Sequence, residues 1–265
     1  MPDNNLFDIK KRLTAANQTR KITRTMELIA SSRLHRCKMQ IVHYQGWMTH
    51  MRRAADCLPS RYFVPLVKSA EGIQSAYIIF GGSKGLSGYY GPAVFQYAAP
   101  IVEGHKVLAV GSSAAAFFPD AHSDLGNEIP SADYAKSIAD AALALYESRE
   151  VSAVYMIYAK GSAHVTEPLL PLARPKERQP VPAITEPSAK ALHPSLYREF
   201  AASLVHEAHL QAFMAEQIVR VSAMDSATQN ADEIIENLQA TYNRIRQSSI
   251  TQEIITVSNA ARGDG

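Results

Sequence analysis

Apolar and small residues recur at steps of three and four along both ends of the chain. Near the start they are Ile9, Leu13, Ala16, Ile22, Met26, Ile29, Leu34, Cys37, Ile41, Tyr44, Met48 and Met51. Near the end they are Phe200, Leu204, Gln211, Met214, Ile218, Val221, Met224, Ala227, Ala231, Ile234, Leu238, Ile245 and Ile254. Such spacing draws a stripe along one side of a helix. Helix breakers are segregated to match: 13 of the 14 prolines fall between Pro59 and Pro194, and the only glycine between Asp3 and Leu58 is Gly46. From Ser195 to Arg262 there is neither proline nor glycine. Proline inside a helix costs roughly 3 kcal/mol and glycine about 1, so the pattern predicts three segments: a helix over 1–58, a central domain over 59–194 and a helix over 195–265. Uninterrupted, the helices would run roughly 80 and 100 Å. Polar interruptions at Thr19, Gln211 and Asn230 make the stripes weaker than a leucine zipper, while Ala227 and Ala231 allow a partner helix close. Two stripes joined by a compact domain predict an intramolecular antiparallel coiled coil; a parallel homodimer is the competing arrangement.

The middle changes period. Ile73–Phe80, Lys106–Val110 and Val151–Tyr158 read as buried strands rich in β-branched and aromatic residues. Ser131–Glu147 reads as an amphipathic helix capped by Ser131. Val165–Leu172 is expected at a sheet edge, since Pro168 and Pro171 exclude a central place. Pro175–Pro187 reads as an extended loop. Alternating strands and helices predict a parallel sheet. The fold class is therefore α/β: a central Rossmann-like domain plus an antiparallel coiled coil of two long terminal helices.

Charge sharpens the pairing. Lys10, Lys11, Arg12, Arg20, Lys21, Arg24, Arg33, Arg36 and Lys38 face only Glu27 between them, a net +8, although the whole chain carries only +2. Ser195 to Asn259 carries four arginines and eight acidic residues, a net −4. Opposite signs favour pairing the two helices with each other. The surplus positive charge needs an acidic partner, either nucleic acid or an acidic protein surface. No run of 18 apolar residues suggests a membrane span. The polar N-terminus resembles neither signal nor transit peptide, which points to the cytosol. Cys37 and Cys57, about 30 Å apart on one helix, are expected to be free thiols.

Candidate chemistry is sparse. Gly81–Gly88 follows a strand, where α/β folds hold phosphate. However, Lys84 precedes Gly85, and neither GxxxxGK[ST] nor GxGxxG is present. His206 and His209 are spaced i, i+3, not the i, i+4 of the HExxH zinc motif. His43 and His50 share a helix face, where packing or exposure explains them. No catalytic, metal or cofactor residues emerge. A small phosphate- or nucleotide-binding enzyme with helical arms, and a basic RNA-binding or scaffold protein, are the alternative functions.

Three blocks carry a resemblance. Ile22 to Leu34 (ITRTMELIASSRL) is similar to the N-terminal signature of the ATP synthase gamma subunit family. Glu216 to Ala231 (EQIVRVSAMDSATQNA) resembles its C-terminal EHxxRMxAMxxATxNA pattern, and Tyr242 to Ile254 (YNRIRQSSITQEI) resembles its YNxxRQxxITQEI ending. Gly81 to Tyr90 (GGSKGLSGYY) resembles the family's SDRGLCGG turn, with Lys84 and Ser87 where Arg and Cys are usual. The resemblance implies a non-catalytic central-stalk shaft that turns inside a 3:3 ring of alpha and beta subunits. An epsilon subunit and a membrane c-ring would be its other partners, with neither nucleic acid nor direct membrane insertion. The complex would sit peripherally on the cytoplasmic face of a bacterial inner membrane. It also implies that Met26, Arg33, Arg220, Arg246 and Gln247 contact catalytic-subunit loops and that Lys10–Lys38 forms a basic shaft face. The short middle and the polar tail, Ala260 to Gly265, depart from the family and imply a divergent branch.

Overall fold

The computed structural model describes residues 2–56, 74–82, 85–119, 121, 123–124, 130–172, 186 and 188–263. Ten elements follow in order. They are α1 (Pro2–Asp56), β1 (Ala76–Phe80), α2 (Tyr90–Val102), β2 (Lys106–Val110), α3 (Ser112–Phe117), β3 (Ser123–Asp124), α4 (Ala132–Glu147), β4 (Val154–Lys160), β5 (Ala163–Leu170) and α5 (Ala189–Gly263). The chain forms two compact units, Met1–Ala30 with Val221–Gly265, and Ser31–Arg220.

In the first unit the helices pair antiparallel. The Thr228 hydroxyl lies 2.8 Å from that of Thr23, and Arg20 Nη1 lies 3.1 Å from Asp232 Oδ1, so numbers rise along one helix as they fall along the other. The seam is a heptad with small and polar members. On α1 it passes Ile9, Leu13, Ala16, Thr23 and Ala30. On α5 it passes Met224, Thr228, Ala231, Ile235, Leu238, Tyr242 and Ile245. The steps are three and four along α5 and four, three, seven and seven along α1, the spacings of the coiled-coil repeat. The expected stripes are therefore partly wrong. Ile22, Ile29 and Ile234 point outward at 60%, 43% and 52% exposure, while Thr23 and Ile235 take the inward places. The expected polar interruptions Thr19 and Asn230 are exposed and leave the seam intact. Neighbours differ by only 100° on a helix; the close approach at the seam selects the smaller Thr23 and Ala30 over the larger side chains beside them.

In the second unit a five-stranded sheet has the order β3-β2-β1-β4-β5. The first four strands are parallel and β5 returns antiparallel to β4. β1 is buried at all five residues, as an apolar run at the sheet centre should be. Pro168 lies on β5, whose only partner among the described residues is β4. The observed edge strand spans Ala163–Leu170 and not Val165–Leu172, and β1 and β4 begin three residues later than read from sequence. One face packs α1, α4 and α5 through Met48, Met51, Ile138, Leu143, Phe200 and Val205. The other packs α2 and α3 through Val94, Phe95, Ala98 and Ala114, and α5 through Ala215.

Local chemistry sets the ends. Ser131 caps α4, its hydroxyl accepting from Tyr134 N. Ser188 caps α5 through its carbonyl, bonded by Leu192 N at 3.0 Å, and its hydroxyl, bonded by Ala191 N at 3.3 Å. The helix thus starts at Ala189, six residues before the expected Ser195, with Pro194 inside it. Proline is best tolerated near a helix start, where it removes little of the hydrogen-bond ladder. Gly111, at φ +97°, admits no side chain: a Cβ there would sit 2.5 Å from the Gly81 carbonyl oxygen. The Pro175–Pro187 loop reading and Cys57 fall outside the described residues, apart from Glu186.

Candidate functional site

The basic residues of α1 are displayed. Lys10, Lys11, Arg12, Arg20, Lys21, Arg24, Arg36 and Lys38 are exposed, and Arg33 and Met26 are half-buried. Lys10, Lys11 and Arg12 are consecutive and therefore wrap three directions around the helix, so the charge forms a collar where a single face was expected. Arg20 sits at the rim of the seam, tied to Asp232, and Arg24 pairs with Glu27 at 2.8 Å. Asn17, Arg20, Lys21, Arg24, Thr25, Thr228 and Asp232 line an open groove of about 600 Å³ beside the seam. Three cations against one carboxylate give this groove a net positive character suited to an acidic segment. On α5, Arg246 and Gln247 are both exposed.

Arg220 behaves differently. It is 5% exposed and bonds Glu216 Oε1 at 2.5 Å, one turn earlier on α5. Its guanidinium is thus buried in the second unit, where the resemblance implies a contact with a partner. The cause is Glu216, itself 4% exposed, because a buried carboxylate demands a nearby counter-charge. The i, i+4 spacing of these two residues is the signal that sequence reading passed over.

The same carboxylate settles the character of the glycine-rich turn. A Cβ on Gly82 would lie 3.2 Å from Glu216 Oε1, so the end of β1 packs against the Glu216–Arg220 ion pair. The turn packs tightly. Tyr90 donates its hydroxyl toward the Ala212 carbonyl at 3.1 Å, with the Phe80 carbonyl at 3.4 Å, and burial drives its pKa upward. Leu86 adopts φ +65° and is 56% exposed. Lys84 lies outside the described residues.

Other candidates resolve simply. Among the described residues no group of three His, Cys, Asp or Glu could hold a metal, and no helix is long and apolar enough to cross a membrane. His43 and His50 are exposed, whereas His206 and His209 turn inward. Cys37 is a buried free thiol whose pKa burial pushes up to about 11.

An antiparallel helix pair bearing a basic collar, in one chain with a small α/β sheet domain, defines the class of the central-stalk proteins of rotary ATPases. The ATP synthase family model matches residues 5–262. The ATP synthase gamma chain of Ruminiclostridium cellulolyticum is 31% identical over 97% of this chain and 98% of its own. That of Clostridium acetobutylicum is 31% identical over 97% of each. Among solved structures, a chain of the Euglena gracilis mitochondrial ATP synthase (OSCP/F1/c-ring) shares the fold, with a TM-score of 0.66 at 14% identity over 98% of this chain and 95% of that one. The chain belongs to the ATP synthase gamma-chain family.

Proposed function

We propose that this chain is the non-catalytic rotor shaft of an F-type ATP synthase, carrying ion-driven rotation of a membrane ring to the catalytic beta subunits. Its partners are alpha and beta subunits in a 3:3 ring, an epsilon subunit and a c-ring. The complex lies peripherally at the cytoplasmic face of a bacterial inner membrane. The observation that carries the reading is the collar of exposed cations on a helix pair closed by its own narrow seam. Such a pair needs no further subunit to complete its core, yet offers charge to acidic levers around it.

Met26, Arg33, Arg246 and Gln247, with Lys10, Lys11, Arg12, Arg20, Lys21, Arg24, Arg36 and Lys38, are the residues that meet the catalytic subunits. Arg220 acts through Glu216, holding α5 in shape beside the glycine-rich turn. Contacts by exposed ions are worth about 0.2–1 kcal/mol each, weak enough to exchange at every rotary step. No residue of the chain performs nucleotide chemistry.

The test is to tag the chain, co-express it with alpha, beta and epsilon subunits, and measure stoichiometry and ATP hydrolysis. A 3:3:1 complex is expected, in which Arg246→Ala with Gln247→Ala slows turnover without loss of assembly. Nucleotide hydrolysis by the isolated chain, or failure to retain alpha and beta subunits, would overturn the proposal.

A further inference from the structure

His206 and His209 take no part in the shaft reading. They lie one turn apart on α5, and His209 is 8% exposed. Its ring packs 5.5 Å from Phe80 of β1 and 5.4 Å from Tyr134 of α4. His206 meets the Tyr44 ring of α1 edge-on at 4.6 Å and hydrogen-bonds the Ser131 backbone. Ser131 and Tyr134 are the cap and the third residue of α4. The two imidazoles therefore grip the first turn of α4 and, through Phe80, the centre of the sheet. The Nδ1 atoms of both rings are buried with no hydrogen-bond partner among the described residues.

That setting fits neutral rings and rejects charged ones. An imidazolium must place a proton on each Nδ1, where no acceptor waits. The start of α4 is the positive end of a helix dipole. Burial lowers His206, against its bond to the Ser131 backbone, which favours the charged ring; burial takes His209 down to about 3, and charge on His206 opposes charge on His209. The titratable and charged groups around the pair are Tyr44 and Arg52 on α1, Tyr134 on α4, Tyr158 on β4 with Glu167 of β5 bonded to its hydroxyl, and Glu207 on α5. Glu207 is engaged by Arg52 at 3.5 Å, and Glu167 by Tyr158 and Lys160.

We propose that His206 and His209 form an acid-released clamp that holds the first turn of α4, and with it the central sheet, against α5. The sign follows from linkage. In the open form each ring is hydrated and takes a proton near pH 6.5; in the closed form it stays neutral. Stability of closure is complete above the open-state value and falls as pH drops below it. His209, held at about 3, weakens closure about tenfold between pH 7.5 and 5.5, and His206, lowered as well, adds to the loss in the same direction.

The test is hydrogen exchange of the full chain, read by mass spectrometry on peptides of residues 132–139 and corrected for the intrinsic pH dependence of exchange. The variants are His206→Gln with His209→Phe, each alone, and His43→Gln as an exposed control. Protection in wild type is expected to fall more than tenfold on going from pH 7.5 to 5.5. The fall should be about tenfold in His206→Gln, smaller than in wild type in His209→Phe and absent in the double variant, with the control matching wild type. Should the double variant not fold, the single variants decide. A single variant that retains the full wild-type fall overturns the clamp. So does an equal acid loss of protection in residues 90–102 of α2, which would report global acid unfolding.

Discussion

The helix pair of Met1–Ala30 and Val221–Gly265 and the α/β unit of Ser31–Arg220 solve the problem of a core in opposite ways. In the α/β unit the large side chains go inside: Phe80, Leu108, Tyr146, Ile157 and Tyr158 are each at most 2% exposed. In the helix pair several large side chains are outside, with Ile22 and Leu28 near 60%, and the inside mixes Met224 and Ile235 with the small or polar Thr23, Ala30, Thr228 and Ala231. A narrow seam buries little apolar area per residue, and hydrophobic stabilisation scales with that area at about 25 cal/mol per Å². The difference teaches that the α/β unit is built to stay folded by itself. The helix pair is built for closeness and exposed charge, and its surface apolar groups are left for contact with other chains.

The comparison can be broken most forcefully at the buried ion pair. Arg220→Ala removes a counter-charge from a carboxylate that is 4% exposed, and is expected to cost about 3 kcal/mol in urea unfolding. Next comes Leu108→Ala at the sheet centre, at about 2–5 kcal/mol by the same measurement. A smaller and more discriminating effect is expected in the seam. Thr23→Val or Thr228→Val alone should cost about 1 kcal/mol by leaving the other hydroxyl without its cross-helix partner, whereas the double replacement should be nearly neutral. If the double variant were as damaged as a core truncation, the seam would be doing the work of a core and the contrast would be lost. The smallest effect is expected at Arg20 and Asp232, whose side chains are about half exposed. Their coupling in a double-mutant cycle should be below about 1 kcal/mol and should shrink in high salt.

Much of the fold could be read from proline and glycine placement, because a breaker inside a helix carries a cost that local sequence cannot hide. β2 was read to the residue and α4 nearly so, since a short apolar run ending at Gly111 and a capping Ser131 are local signals. The phase of the seam was not. Ile22 outranks Thr23 by hydrophobicity, yet the pair distance chooses the smaller residue, and that distance is a property of two helices together. The two-residue strand β3 has no period to detect. At the candidate site, the YNRIRQ block marked Arg246 and Gln247 as family positions, and both are exposed. The EQIVR block likewise marked Arg220, but a motif records which residue stands at a position and not what surrounds it. The i, i+4 spacing in that block sets Glu216 beside the guanidinium, but only the folded chain shows that both are buried.

The seven-residue repeat of the seam has a mechanical corollary. Seven residues make two turns only if a helix is wound at 3.5 per turn instead of 3.6, so the two helices must coil around each other left-handedly. A left-handed rope does not resist torque equally in both senses. Twist in the sense of a rope's own lay tightens its strands; the reverse twist opens them. A rod built on this repeat is therefore a spring with a preferred direction, stiffer when driven one way around than the other.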